Sequence, residues 1–150
     1  MGLYYLETSA LVKLYVREQG TDALLRLASY PAGNHFAVLS LSRVELRSAI
    51  RRREREGDIS TTIASLLLDR FEQHLETRFL KQVLSDTVVD RAVALVDLYA
   101  LRAYDAVQLA GCLTLKMISG GEEPVFVCSD HQLLKAGRAE QLVTLDPEDM

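Results

Sequence analysis

The sequence predicts an α/β domain with a mostly parallel sheet covered on both faces. Short apolar runs alternate with helix-period segments along the chain, and parallel strands need such crossover connections. No stretch is rich enough in Pro, Gly or Ser to act as a linker, and there is no internal repeat or low-complexity tract. The 150 residues therefore read as one domain.

Each element has its own signal. Leu3 to Leu6 reads as a short buried strand, followed by Thr8 and Ser9 as caps of a helix patterned on Ala10, Leu11, Leu14 and Tyr15. A second helix is expected over roughly Thr21 to Ala28, then a turn YPAGN and the strand HFAVLS. A strongly helical segment runs from Leu41 to about Glu56, where Gly57 stops it. Further helices are predicted from Ser60 to about Thr77 and over VVDRAVALVDLYA, with a weak strand around Val83 between them. Ala103 to about Met117 is again helical, and SGGEEP is its exit loop. VFVCS is the clearest strand, bounded by Pro124 and Asp130, and a short helix HQLLKAG and a strand LVTL follow it.

Composition sets outer bounds. With 49% hydrophobic and 25% charged residues the chain can build its own core, and a net charge of −4 means that a polyanion must be held by local positive charge. Cys112 and Cys128 lack a CxxC or Cys/His metal spacing and read as buried thiols, which suits a reducing cytoplasm. The start MGLYYLETSALVKLYV has neither a basic n-region nor an apolar run of ~18 residues, so neither secretion nor membrane spanning is expected.

In parallel sheets ligands bind where strands end and helices begin. Glu7 ends the first strand, Asp130 ends the VFVCS strand, Glu45 lies near the start of the helix after HFAVLS, and Asp105 lies near the start of the AYDAVQLA helix. Each has an ordinary explanation: Ser42-Arg43-Val44-Glu45 matches a capping box, and Asp105 and Asp130 suit helix N-termini. The helical wheel argues for more. At ~100° per residue Glu45 falls among Leu41, Val44, Ser48 and Ala49, and Asp105 shares a stripe with Leu101, Leu109 and Cys112, so both acids point inward. Inward carboxylates gathered at one edge repel, and a divalent cation is the simplest relief. An all-carboxylate donor set suits Mg²⁺ or Mn²⁺ rather than zinc, and His35, His74 and His131 show no metal-binding spacing. Such a site activates water against a phosphodiester.

YYLETSALVKLYV, SLSRVELRSAIRRRE, LRAYDAVQLA and FVCSDHQLL stand in the order, and nearly at the spacing, of the four acidic motifs of PIN domains. Over almost its whole length the chain resembles the VapC-type toxins of bacterial and archaeal toxin–antitoxin pairs. The resemblance implies a Rossmann-like three-layer α/β/α domain and a Mg²⁺- or Mn²⁺-dependent endoribonuclease. It also implies a homodimer inhibited by a small VapB-like antitoxin. Carried over, Glu7, Glu45, Asp105 and Asp130 are the metal-binding and catalytic acids, with Asp105 and Glu45 as main ligands. Ser9 and Ser129 either support the neighbouring acids or cap helices. In the family the antitoxin tail lies in an apolar groove beside the site; Leu11, Leu14, Tyr15 and Leu41 either line such a groove or are interior.

Arg43, Arg47 and Arg51 recur every fourth residue on a face distinct from the acidic one. They either grip RNA phosphates or form a solvated face paired with Glu54 and Glu56. Tyr4, Tyr5, Tyr15, Tyr30, Tyr99 and Tyr104 are scattered, and core packing is their expected role. A phosphoacceptor signalling domain also gathers acids and Mg²⁺ at strand ends, but LVTLDPED offers no lysine to meet the phosphoryl group.

One residue departs from the pattern: the family's first acid is normally aspartate, and here it is Glu7. The extra methylene moves the carboxylate by roughly 1 to 1.5 Å, against an octahedral Mg²⁺ shell with bonds of about 2.1 Å. A PIN-like module that binds antitoxin or RNA without cutting is therefore the alternative to an active nuclease. Glu7→Asp is expected to keep or raise metal-dependent RNA cleavage, measured on partner-free protein; a fall to background would show the acid to be misassigned.

Overall fold

The computed structural model describes residues 2–29 and 33–150. In chain order the elements are β1 (Leu3–Leu6), α1 (Thr8–Leu11) running into a 3-10 turn (Val12–Leu14), α2 (Thr21–Ser29), β2 (His35–Leu39), α3 (Ser42–Arg55) and α4 (Thr61–Thr77). They continue with β3 (Phe79–Gln82), α5 (Asp86–Leu98), α6 (Ala103–Ile118), β4 (Pro124–Val127), α7 (His131–Ala139), β5 (Val143–Leu145) and a closing 3-10 turn (Pro147–Asp149). Every strand pairing is parallel and the sheet order is β3-β2-β1-β4-β5.

Alternation along the central strands builds the three layers, because successive side chains leave a strand on opposite faces. Leu3 and Tyr5 of β1, Ala37 and Leu39 of β2, and Phe126 of β4 pack into one core, with α5, α6 and α7 above them. Leu6, Phe36, Val38 and Val127 pack into the other, under α1 to α4. The register keeps like with like: Tyr5 stands opposite Ala37 on one side and Phe126 on the other. With both faces covered the strands read as continuous apolar runs, as parallel strands do.

Several boundaries follow from identifiable chemistry. Gly57 adopts φ +83° just beyond α3, where residues with a Cβ are strained. Ser60 and Ser85 cap α4 and α5 through their hydroxyls, accepting from the amides of Ile63 and Val88. Thr8 and Ser9, by contrast, lie inside α1, and the carboxylate of Glu7 caps it instead. That helix is a single turn before the 3-10 stretch, shorter than its apolar pattern predicts. The strand expected around Val83 ends one residue earlier, at Gln82, and the closing 3-10 turn has no counterpart in the sequence expectations.

The tyrosines divide. Tyr5 is fully buried, Tyr4 stacks on Phe36, and Tyr15 meets Phe71 edge-on. Tyr104 is 64% exposed and is not a core residue. The predicted turn at 30–34 lies partly outside the described residues, as does Tyr30. Leu11 is interior, whereas Leu14 and Tyr15 line a shallow depression with Leu25, Phe36 and Phe79. No helix among the described residues is long and apolar enough to cross a membrane.

α6 presses closely on β1. A Cβ on Gly111 would run into Tyr5 Oη and stand 3.0 Å from Leu39 Cδ1. Helix propensity alone favours Ala over Gly. Because the collision is with a fully buried ring, Gly111→Ala is nevertheless expected to destabilise the fold by about 1–3 kcal/mol, read as a lower midpoint of urea unfolding.

Candidate active site

The sheet order reverses at β1: β2 and β3 lie to one side, β4 and β5 to the other. A crevice opens beyond the carboxyl ends of strands at such a switch point. The amide of Glu7 donates to the carbonyl of Val127 at 3.0 Å, which joins the β1 and β4 ends at that place. Four elements bring a predicted acid there: the β1 end brings Glu7, the first turns of α3 and α6 bring Glu45 and Asp105, and the β4–α7 turn brings Asp130.

Glu7 is 6% exposed, and its Oε2 accepts from the Ser9 amide at 2.9 Å and also from the Ser9 hydroxyl. Its pKa is pushed up to about 7: burial raises it most, the Ser9 bonds oppose, and the charges of Glu45 and Asp105 add to the rise. Asp105 is half-buried and also raised, first by burial and then by Asp130, with Arg102 opposing. The acids therefore feel one another: Glu7 with Glu45 and Asp105, and Asp105 with Asp130.

Glu45 makes no capping box, because α3 begins from Leu41 without a side-chain cap. Its Oε1 accepts instead from Thr8 Oγ1 at 2.8 Å and Gln108 Nε2 at 2.6 Å. Gln108 is fully buried, receives the Tyr5 hydroxyl on its Oε1 at 2.9 Å, and also offers its amide to Ser42 Oγ at 3.0 Å. From the sequence Thr8 reads only as a helix cap and Gln108 carries no role. The signal available was a glutamine one helical turn after Asp105 on an otherwise apolar stripe. Asp130 does cap, with Oδ1 accepting from the Leu133 amide at 3.0 Å.

The two serines act differently from helix caps. Ser9 holds Glu7, and its Oγ accepts from the Ser129 amide at 3.0 Å. Ser129 Oγ donates to Asp146 Oδ1 at 2.9 Å. Asp146 lies at the end of β5, within the segment LVTLDPED, where the sequence assigns it no role. Cys128 and Cys112 are free and buried, with burial pushing both thiols well above their ordinary range.

A cleft of about 710 Å³ opens beside Ser9, Ser129 and Asp130, with Lys13, Arg52 and Arg53 on its walls. Arg53 pairs with Glu18 at 2.7 Å, and Lys13 bridges Glu18 and Glu148 at 2.9 Å each. Arg43, Arg47 and Arg51 lie elsewhere, in a second depression with Val44, Ser48 and Arg55. Arg43 is held by both oxygens of Glu72, and Arg51 pairs with Glu54 at 3.1 Å. His74 meets the Tyr15 hydroxyl at 2.7 Å, and His131 is exposed.

Among the described residues no three His, Cys, Asp or Glu side chains are drawn together tightly enough to cage a metal ion by themselves. The hydrogen bonds explain this: Glu7 is turned onto Ser9, Glu45 onto Thr8 and Gln108, and one oxygen of Asp130 onto its helix. The donor set, all carboxylate oxygen, still fits a hard cation of the Mg²⁺ kind, which uses one or two protein carboxylates and leaves its other positions to water and phosphate.

No family model matches the chain. Among curated relatives, the ribonuclease VapC35 of Mycobacterium tuberculosis is 33% identical over 147 residues, covering 97% of each chain. The ribonuclease VapC47 of the same organism is 31% identical over the same share. Two solved structures share the fold at low identity: VapBC2 of Rickettsia felis bound to a promoter DNA fragment (TM-score 0.66, 15% identity) and FitAcB of Neisseria gonorrhoeae (TM-score 0.65, 14%). The first alignment covers 96% of this chain and 98% of the other, and the second covers 98% and 99%.

The raised Glu7 fixes a pH response. Between its unfolded value of 4.5 and about 7 the folded chain keeps a proton that the unfolded chain has lost. The metal-free protein therefore loses stability as pH rises through that window and levels off above it, by up to ~3 kcal/mol. Urea unfolding in EDTA from pH 4.5 to 8 should show this decline, and Glu7→Gln should remove most of it.

Proposed function

The chain belongs to the VapC-type PIN-domain ribonucleases, and from that premise we propose that it is a Mg²⁺- or Mn²⁺-dependent endoribonuclease toxin of a toxin–antitoxin pair, hydrolysing phosphodiester bonds of RNA. The observation that carries this reading is the convergence of Glu7, Glu45, Asp105 and Asp130 from four separate elements at the switch point, close enough that Glu45 and Asp105 raise the proton affinity of Glu7, and Asp130 that of Asp105. Asp105 and Glu45 would be the main ligands, with Asp130 and Glu7 completing or orienting the shell. When bound, the cation supplies an activated water and neutralises charge developing on the phosphoryl group.

The chain's own groups do the rest. Gln108 and Thr8 fix the Glu45 carboxylate, Ser9 fixes that of Glu7, and the helix cap fixes that of Asp130. Asp105 accepts no hydrogen bond among the described residues, so its oxygens are the freest to meet a ligand. Along the depression Arg43 and Arg51 pair with Glu72 and Glu54, while Arg47 and Arg55 make no ion pair among the described residues, which supports use of these two by RNA phosphates in a chain of net charge −4. The partners proposed are RNA, a small VapB-like antitoxin and a second copy of the chain, acting in the cytoplasm.

A second reading has one observation in its favour. Glu7 is longer than the usual aspartate and its carboxylate is turned onto Ser9, which suits a module that binds antitoxin or RNA without cutting.

Cleavage of labelled RNA by the partner-free chain with Mn²⁺ separates the two readings. The nuclease reading expects cleavage that EDTA stops and that Asp105→Asn lowers by at least ~10²-fold, with an unchanged circular dichroism spectrum. Wild-type rates in that variant would sink the mechanism.

A further inference from the structure

We propose that Asp146, at the end of β5, is a positioning residue of this site: it holds the turn that carries Asp130 and, through Ser129 and Ser9, sets the carboxylate of Glu7. The inference rests on the nuclease reading for its purpose and on the hydrogen bonds for its substance.

Asp146 touches both neighbours of Asp130. Its Oδ1 accepts from Ser129 Oγ at 2.9 Å, and its Oδ2 stands 3.5 Å from His131 Nε2. From Ser129 the connection continues inward: the Ser129 amide donates to Ser9 Oγ at 3.0 Å, and Ser9 donates twice to Glu7 Oε2. Asp146, Ser129, Ser9 and Glu7 thus form one line across the carboxyl ends of β5, β4 and β1. A backbone bond from the Cys128 amide to the Leu145 carbonyl, at 3.0 Å, runs beside it.

Helix capping does not account for this residue. Asp146 does cap the closing 3-10 turn, through the Glu148 amide at 3.0 Å, but a cap needs neither the bond to Ser129 nor burial. The side chain is 7% exposed, and Oδ2 is buried without a hydrogen-bond partner among the described residues. A carboxylate oxygen kept from water with no hydrogen bond, and with only the exposed His131 ring 3.5 Å away, costs stability, so its retention calls for a local role. Holding the two residues that flank a ligand acid is such a role, because outer partners orient the groups that meet the metal.

Three variants test the line. Asp146→Ala removes the acceptor, Ser129→Ala breaks the next link with little change of volume, and Asp146→Asn keeps an oxygen for Ser129 and Glu148. The readouts are amide hydrogen exchange at Ser9 and Ser129, Mn²⁺ affinity of the RNA-free protein by calorimetry, and kcat and KM for RNA. Asp146→Ala and Ser129→Ala should each speed exchange at the Ser129 amide, weaken Mn²⁺ by about 10-fold and lower kcat at unchanged KM. Their combination should be no worse than either alone, and Asp146→Asn should restore all three readouts. Should Asp146→Ala fail to fold, Ser129→Ala against Asp146→Asn carries the same comparison. Exchange and Mn²⁺ affinity within twofold of wild type, or losses that multiply in the double variant, overturn the proposal. A wild-type chain that neither binds Mn²⁺ nor cuts RNA would instead sink the nuclease reading. The exchange rates then decide the relay by themselves, retained if they rise and lost if they do not.

Discussion

Carboxylates held out of water at the ends of parallel strands constrain much of this molecule. Glu7 is nearly inaccessible, yet Glu45 and Asp105 lie within reach of its charge, so it holds its proton toward neutrality. A site of this kind is poised against its own stability, and the surrounding structure has to hold it in place. The cost of burial falls when a proton or a cation arrives, and that couples the fold to its ligand.

The holding is done by a small set of buried polar groups. Gln108 joins the fully buried Tyr5 to Glu45 and thereby ties β1, α3 and α6 together at one point. Such a network is worth having only if its members are satisfied, since a low-dielectric interior penalises each missing partner. Gly111 belongs to the same arrangement, because its missing Cβ lets α6 approach the Tyr5 hydroxyl that Gln108 receives. On the other side of the crevice Ser9 links the β1 end to the β4 end. Two polar clusters thus fix two of the acids, the Gln108 cluster holding Glu45 and the Ser9 cluster holding Glu7.

Charge is likewise partitioned around α3. Helical spacing puts Ala49, Arg52 and Arg53 toward the acidic cleft, and Arg43, Arg47, Arg51 and Arg55 toward the other flank. On the cleft side Arg53 and Lys13 are neutralised by Glu18 and Glu148; on the far side Arg43 and Arg51 pair with Glu72 and Glu54, and Arg47 and Arg55 make no ion pair among the described residues. In a chain of net charge −4 the unpaired cations of that flank thus lie beside the acids rather than among them.

The α/β class, the parallel sheet and most element boundaries were legible in the order of residues, because alternation, helical period, Gly57 and the serine caps are local signals. The four acids were legible for the same reason: each sits at a strand end or helix start that pattern alone identifies. Sequence could not show where their oxygens point. Glu45 matches a capping box yet is drawn to Thr8 and Gln108, 37 and 63 positions away. Asp146 looks like a residue of a surface tail until β5 pairs beside β4 and brings it against Ser129. Local chemistry fixes what a segment becomes; long-range pairing decides which polar groups meet, because hydrogen bonds between distant residues exist only after the chain has closed.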